Sequence, residues 1–173
     1  EVFAPIHWTN ETAPSALIDN LVPPVIDPIS GQPESKAAVV ALSKFQPKWH
    51  GFAVSLRQMQ PSADYWAMSR TTSGWRTELA STEDPDDWAT YANDLVGEVG
   101  ATTQSLCDPS RGIYRYAFFH DGQLVGAFFA APDTIPLARN HLATLPGTQA
   151  KAVLTGQPPV GQPDPGLIVC ACF

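Results

Sequence analysis

The sequence predicts an α+β fold: a small, mostly antiparallel sheet with a central hairpin and a few short helices. Three observations predict it. Two apolar stretches, Ile113–Phe119 and Leu124–Ala130, flank an Asp121-Gly122 step, the pattern of a tight hairpin with a type I′ turn. Phe52, Val54 and Leu56 alternate with other residues along 50–57, the period of a half-buried strand. Residues 84–97 carry a helix start, an apolar stripe at helical spacing and a glycine stop. The 17 prolines cluster in loops and linkers, so long elements are confined to the middle of the chain.

Taken in order, residues 2–8 suit a short strand. Pro14 to Leu21 reads as a helical stretch with Pro14 in its first turn, where its missing N–H costs nothing. Val22-Pro23-Pro24 and the run from Asp27 to Pro33 then impose extended or turn geometry. Residues 37–42 are a short apolar run, either a final strand or a helical turn. Residues 1–46 thus read as the tail of a preceding domain, either docked onto the middle of the chain or partly mobile. Residues 47–156 hold the core. The strand at 50–57 and a second at Tyr65–Arg70 come first, and Trp75 to Ala80 reads as a short helix. The main helix comes next, with Asp84 as N-cap, Pro85 as first residue, and Asp86 and Asp87 in the first turn, where carboxylates suit the helix dipole. Trp88, Tyr91, Ala92 and Leu95 form its apolar stripe, and Gly97 ends it. The hairpin strands are apolar on both faces, so they belong in a sheet covered on each side. One cover is the helix; the other is either the 134–156 segment or a second copy of the chain. That segment reads as one or two short helices, the first capped by Thr134 and ended by Pro146-Gly147, the second capped by Thr148 and ended by Gly156.

Composition narrows the function classes. The chain has 173 residues, 44% of them hydrophobic, and a formal net charge of −7. That charge opposes a phosphate-tracking nucleic-acid binder. No long apolar run suits a membrane span. Three cysteines oppose a disulfide framework and suit a reducing, cytoplasmic setting. Glu1 opens without an initiator Met, and the last residues, Cys170-Ala171-Cys172-Phe173, break off just after a Pro/Gly-rich linker. Both ends are expected to continue in a larger parent.

Cys170-x-Cys172 is the sharpest chemical feature. Two thiolates so spaced can share one iron site, but a two-iron, two-sulfur cluster needs four ligands; the alternative is a short apolar strand with two soft, small residues. His7-Trp8 can stack on a planar heterocycle, or can serve as ordinary surface or core residues. His50, His120 and His141 are scattered, and no spacing suggests zinc. Neither a Rossmann nor a Walker pattern occurs, and Ser43, Ser55 and Ser105 lack a nucleophile-elbow context. No catalytic residues are assigned.

Two segments together carry a family likeness. His7-Trp8-Thr9, Leu21-Val22 and the run Asp27-Pro28-Ile29-Ser30-Gly31-Gln32-Pro33-Glu34-Ser35-Lys36 resemble the end of the molybdopterin-dinucleotide-binding domain in molybdenum oxidoreductases, above all bacterial assimilatory nitrate reductases. The run from Asp164 to Phe173 resembles the start of their C-terminal domain, akin to bacterioferritin-associated ferredoxin, which carries a two-iron, two-sulfur cluster. The middle, with Tyr114-Arg115-Tyr116 and Asp121-Gly122-Gln123-Leu124-Val125-Gly126, is also similar in pattern to the module that comes after flavin reductase domains.

The nitrate reductase resemblance implies a parent that reduces nitrate to nitrite at a molybdenum held by molybdopterin guanine dinucleotide and fed by iron–sulfur clusters. Residues 1–46 would be the irregular tail of its pterin-binding β-barrel domain, with His7, Trp8 and Lys36 on the pterin side. Residues 47–156 would be a spacer and assembly domain. Residues 157–173 would be a linker and the first ligand pair, Cys170 and Cys172, of the ferredoxin-like domain. The resemblance further implies that the fragment holds no cofactor alone and is itself inert. Its partners would be the rest of the reductase, an electron-donor protein or reductase subunit and, in addition, a second copy in a homodimer. The competing expectation is a stand-alone interaction or dimerisation module with no redox role.

Overall fold

The computed structural model describes residues 8–33 and 38–162. Its centre is a six-stranded sheet in which every neighbouring pair is antiparallel. The strands are β1 (Trp49–Ser55), β2 (Tyr65–Thr71), β3 (Gly74–Ser81), β4 (Thr102–Asp108), β5 (Ile113–His120) and β6 (Gln123–Ala131), in the spatial order β2-β3-β1-β6-β5-β4. One α-helix of nine residues, α1 (Trp88–Val96), links β3 to β4, and a single helical turn, α2 (Arg139–Leu142), comes after β6. The α+β expectation stands at this level.

The predicted hairpin is β5-β6. Asp121 and Gly122 both take positive φ, 49° and 78°, as a type I′ turn requires, and His120 pairs with Gln123. The ladder is interrupted once: Phe118 pairs with Gly126 but Phe119 with Leu124, leaving Val125 as the extra residue of a bulge. The bulge turns both Val125 and Gly126 toward α1. A Cβ on Gly126 would lie 2.5 Å from the Val96 carbonyl oxygen, so the absent side chain lets the helix end settle on the strand.

The sheet is covered on both faces. On one, Ala92, Leu95 and Val96 of α1 bury against Ala53, Met68, Leu79, Tyr116, Phe118 and Phe128. On the other, Ile135, Leu142 and Val153 of the 132–156 strap bury against Phe52, Val54, Ala117, Leu124 and Phe129. The second cover is therefore the chain's own strap. Leu56, expected beside Phe52 and Val54, lies past the end of β1 and is 44% exposed.

Several local expectations are corrected. Residues 75–80 are a strand. Thr71 pairs with Gly74, so Thr72-Ser73 folds β2 and β3 into a hairpin, and Trp75 and Leu79 face one core while Arg76 and Glu78 face the strap. The period is two, which so short an apolar run could not show alone. The N-cap of α1 is Asp87, which has an extended backbone and whose carboxylate accepts the Thr90 N–H at 2.7 Å, while Asp84 pairs with Lys48. Asp86 and Pro85 precede the helix. Gly97 sits at the C-cap with φ −73°, so the stop is not a left-handed residue. Its carbonyl, with that of Asp94, accepts from the Arg57 guanidinium.

The strap is mostly irregular. Thr134 and Thr148 cap nothing: α2 starts after Ala138 with no side-chain cap, and Thr148 donates to the Leu145 carbonyl. The second expected helix is a 3-10 turn, Val153–Thr155, ended by Gly156 in left-handed geometry. Ile135, Leu137, Leu142, Leu145, Val153 and Leu154 of the strap pack on the sheet below, so packing overrides helical propensity. Residues 14–21 form two 3-10 turns, Pro14–Ala16 and Ile18–Leu21, and residues 38–42 have no regular structure. The strand expected at 2–8 lies, but for Trp8, outside the described residues. The segment 9–16 rests on β2: Ala13 is fully buried, the Met68 N–H donates to the Thr12 carbonyl at 2.7 Å, and Ser15 donates to the Asp64 carbonyl.

Candidate functional site

Of the residues singled out for cofactors, His7, Lys36, Cys170 and Cys172 lie outside the described residues. Trp8 is half-buried, just before the turn at Thr9–Thr12. Cys107, the one thiol among the described residues, sits exposed on β4. Among those residues no group of three His, Cys, Asp or Glu converges as metal ligands do.

Two built features remain. The first is a pocket of about 310 Å³ on the strap face, beside the β2 end of the sheet. Phe45, Ala80 and Ile135 give it apolar walls, and His50 and Tyr65 stand at its margin. One wall is the ion pair of Glu78 and Arg139: Arg139 Nε donates to Oε1 at 2.6 Å and an NH2 nitrogen donates to Oε2 at 3.3 Å. Arg139 also donates to the Ile135 carbonyl and lies 5.4 Å from the Phe52 ring centroid. The guanidinium is thereby committed to clamping the strap onto the sheet, a bidentate use to which its planar fork is suited. Arg115 performs a similar task further along, donating to the carbonyls of Leu154 and Thr155.

The second feature is an aromatic cluster beneath α1. Trp88 stacks on Tyr114 at 4.5 Å, Trp49 meets Trp88 edge-on at 5.2 Å, and Tyr91 and Phe128 complete it. Trp49 Nε1 donates to the Glu83 carbonyl, which satisfies its one donor. The Tyr91 hydroxyl is buried without a well-formed partner, and burial pushes its pKa up to about 12, opposed weakly by the Ser62 backbone N–H. Burial, and then the neighbouring Cys107, also raise the Tyr116 phenol. Neither phenol is poised for proton transfer near neutral pH.

The acidic residues near α1 are spent structurally. Asp64 accepts from the Thr82 N–H and the hydroxyls of Thr82 and Ser81, bonds that hold its carboxyl below the usual range. Asp87 is lowered by its capping bond from Thr90. The buried hydroxyls behave likewise: Thr77 donates to the Ala67 carbonyl, and Ser55 accepts from the Arg57 N–H. These polar groups fasten backbone. These hydrogen-bonded groups bind the chain's own elements together.

Sequence reading missed the Glu78–Arg139 clamp, because the partners are 61 residues apart and the strand bearing Glu78 read as a helix. The available signal was Arg76 and Glu78 at alternate positions, two polar residues on one face of an otherwise apolar strand.

No family model matches the chain, and no solved structure matches it. Among curated proteins it is similar to a nitrate reductase of Klebsiella oxytoca, with 34% identity over 88 residues. That match covers 50% of this chain but only 10% of the Klebsiella protein. Over half its length, then, the chain is distantly similar to a short stretch of a nitrate reductase.

Proposed function

We propose that this chain is a segment of a molybdenum-dependent nitrate reductase serving nitrate assimilation in the cytoplasm. The carrying observation is the 34% identity over 88 residues to the Klebsiella nitrate reductase. In this reading residues 1–46 close the pterin-binding domain, with His7, Trp8 and Lys36 on the pterin side. Residues 47–156 are the spacer. Residues 157–173 lead into a ferredoxin-like domain, where Cys170 and Cys172 supply two of the four thiolates a cluster needs. The spacer's own features support that role. Its central strands are covered on both faces, and its strap is clamped by Arg139 and Arg115. A rigid block between a reductase core and a tethered electron carrier keeps delivery intramolecular, at high effective concentration.

Among the described residues, none supplies a catalytic group in this reading; the reductase core, a donor protein or subunit, and the cofactors would come from the parent. The test is purification of the polypeptide bearing this sequence from its source. It should be much longer than 173 residues, contain molybdenum, and reduce nitrate with a reduced viologen dye. A polypeptide of this length, free of molybdenum and inactive, would overturn the reading in favour of a stand-alone interaction module.

A further inference from the structure

A spacer role leaves the strap-face pocket unused, yet it has the make-up of a small-molecule site. Its volume of about 310 Å³ lies within the range of such sites. Phe45, Leu79, Ala80 and Ile135 make the lining mostly apolar, and His50 and Tyr65 add two flat rings to that of Phe45. Every lining residue is a described one. The charged groups, Glu78 and Arg139, are bonded to each other and cancel. That pair is not saturated. A guanidinium has five N–H groups. Arg139 gives two to Glu78 and one to the Ile135 carbonyl, three of the five, so two have no acceptor among the described residues. The Phe45 wall is loosely held: it is 50% exposed, and residues 38–47 have no regular structure and, among the described residues, no hydrogen bond.

We propose that this pocket binds a neutral small molecule of two fused aromatic rings bearing a carbonyl oxygen, which accepts from the spare N–H groups of Arg139. Size selects two rings. A protein cavity of about 150 Å³ lined by aliphatic and phenyl groups holds one benzene, and this pocket has about twice that volume. The three flat side chains of the lining favour an aromatic ligand, which they can meet in offset or edge-on contact. Charge selects neutrality. An anionic oxygen brought to the guanidinium would meet the Glu78 carboxylate, already 2.6 Å from Arg139 Nε, and a cation would meet the guanidinium itself. A carbonyl oxygen takes the unused donors without adding charge, whereas a ligand with only N–H groups leaves them unpaired. Phe45, the loosely held wall, admits the ligand and closes on its rings.

The test is titration of the isotope-labelled full chain, followed by amide chemical shifts, with three probes: coumarin, indole and coumarin-3-carboxylate. Coumarin should saturate one site and shift the amides of Gly51, Ala80 and Ile135 most. Indole, of the same size but without a carbonyl, and the carboxylate, which adds a negative charge, should each bind at least tenfold more weakly. Ala80→Leu, which fills the pocket from β3, and Phe45→Ala, which removes its outer wall, should each weaken coumarin binding at least fivefold. Phe45 stands half exposed outside the sheet, so its variant should melt as the parent does and keeps the test decisive even where Ala80→Leu fails to fold. No saturable binding of coumarin up to its solubility limit overturns the proposal. So do shifts centred away from the pocket, indole or the carboxylate binding as tightly as coumarin, and affinity unchanged in Phe45→Ala.

Discussion

Phe128→Ala should be among the most damaging single changes in this chain. The ring is fully buried at the centre of the sheet, on β6, with Tyr116 and Ala53 as its cross-strand partners. It meets Tyr91 at 5.5 Å, Trp88 at 6.2 Å and Trp49 at 6.5 Å. Truncating a buried Phe costs about 3–5 kcal/mol, the higher end applying where neighbours cannot close the cavity. Here they are held. Trp49 is hydrogen-bonded to the Glu83 carbonyl, Trp88 is stacked on Tyr114, and β6 is paired on both sides. For a domain of this size each kcal/mol moves the melting temperature by about 2–4 °C, so a fall of about 6–20 °C is expected. Calorimetry reads it directly, and near-ultraviolet circular dichroism should weaken as the Trp packing loosens. Phe128→Leu, which leaves a smaller void, should fall between the two. An Ala variant melting within about 2 °C of the parent would mean that the aromatic cluster is not the centre of the core, and the two-faced packing argument would fail.

Other outcomes rest on single contacts. Gly126→Ala adds one methyl where the Val96 carbonyl oxygen stands at 2.5 Å, and denaturant unfolding should show a loss of about 1–3 kcal/mol or more. Gly122→Ala meets nothing within 4 Å and should cost only the left-handed backbone penalty, about 1–2 kcal/mol. Tyr91→Phe removes a buried hydroxyl without a good partner, so its melt should equal or exceed that of the parent, and a marked drop would reveal a hidden bond. The Asp64 carboxyl is held below its ordinary value of 3.8 by Thr82 and then Ser81. Its contribution is therefore complete above that value and fades as the pH falls through the lower folded value. Asp64→Asn should lower stability at neutral pH and flatten this acid limb in pH-dependent melts.

What the sequence determined by itself was local. Asp121-Gly122 fixes the β5-β6 turn because two adjacent positive φ angles favour those residues, and no distant contact is needed to see it. The helical spacing of Trp88, Tyr91, Ala92 and Leu95 fixes α1 and the face it buries. The double-sided apolarity of β5 and β6 fixes their place inside a covered sheet. The tertiary structure decided whatever turned on a partner far along the chain. Residues 75–80 became a strand because β1 and β2 flank them, and Asp87 is the cap because the helix starts at Trp88, three residues later than Pro85. The strap stayed irregular because its large apolar side chains, Ile135, Leu142 and Val153 among them, pack on the sheet. The Glu78–Arg139 clamp, the bulge at Val125 and the covering of the β2 edge by residue 12 are likewise contacts across distance. Spacing along a sequence records which residues recur on one face; it does not record which faces meet, because loop closure costs only a weak logarithm of the chain between them.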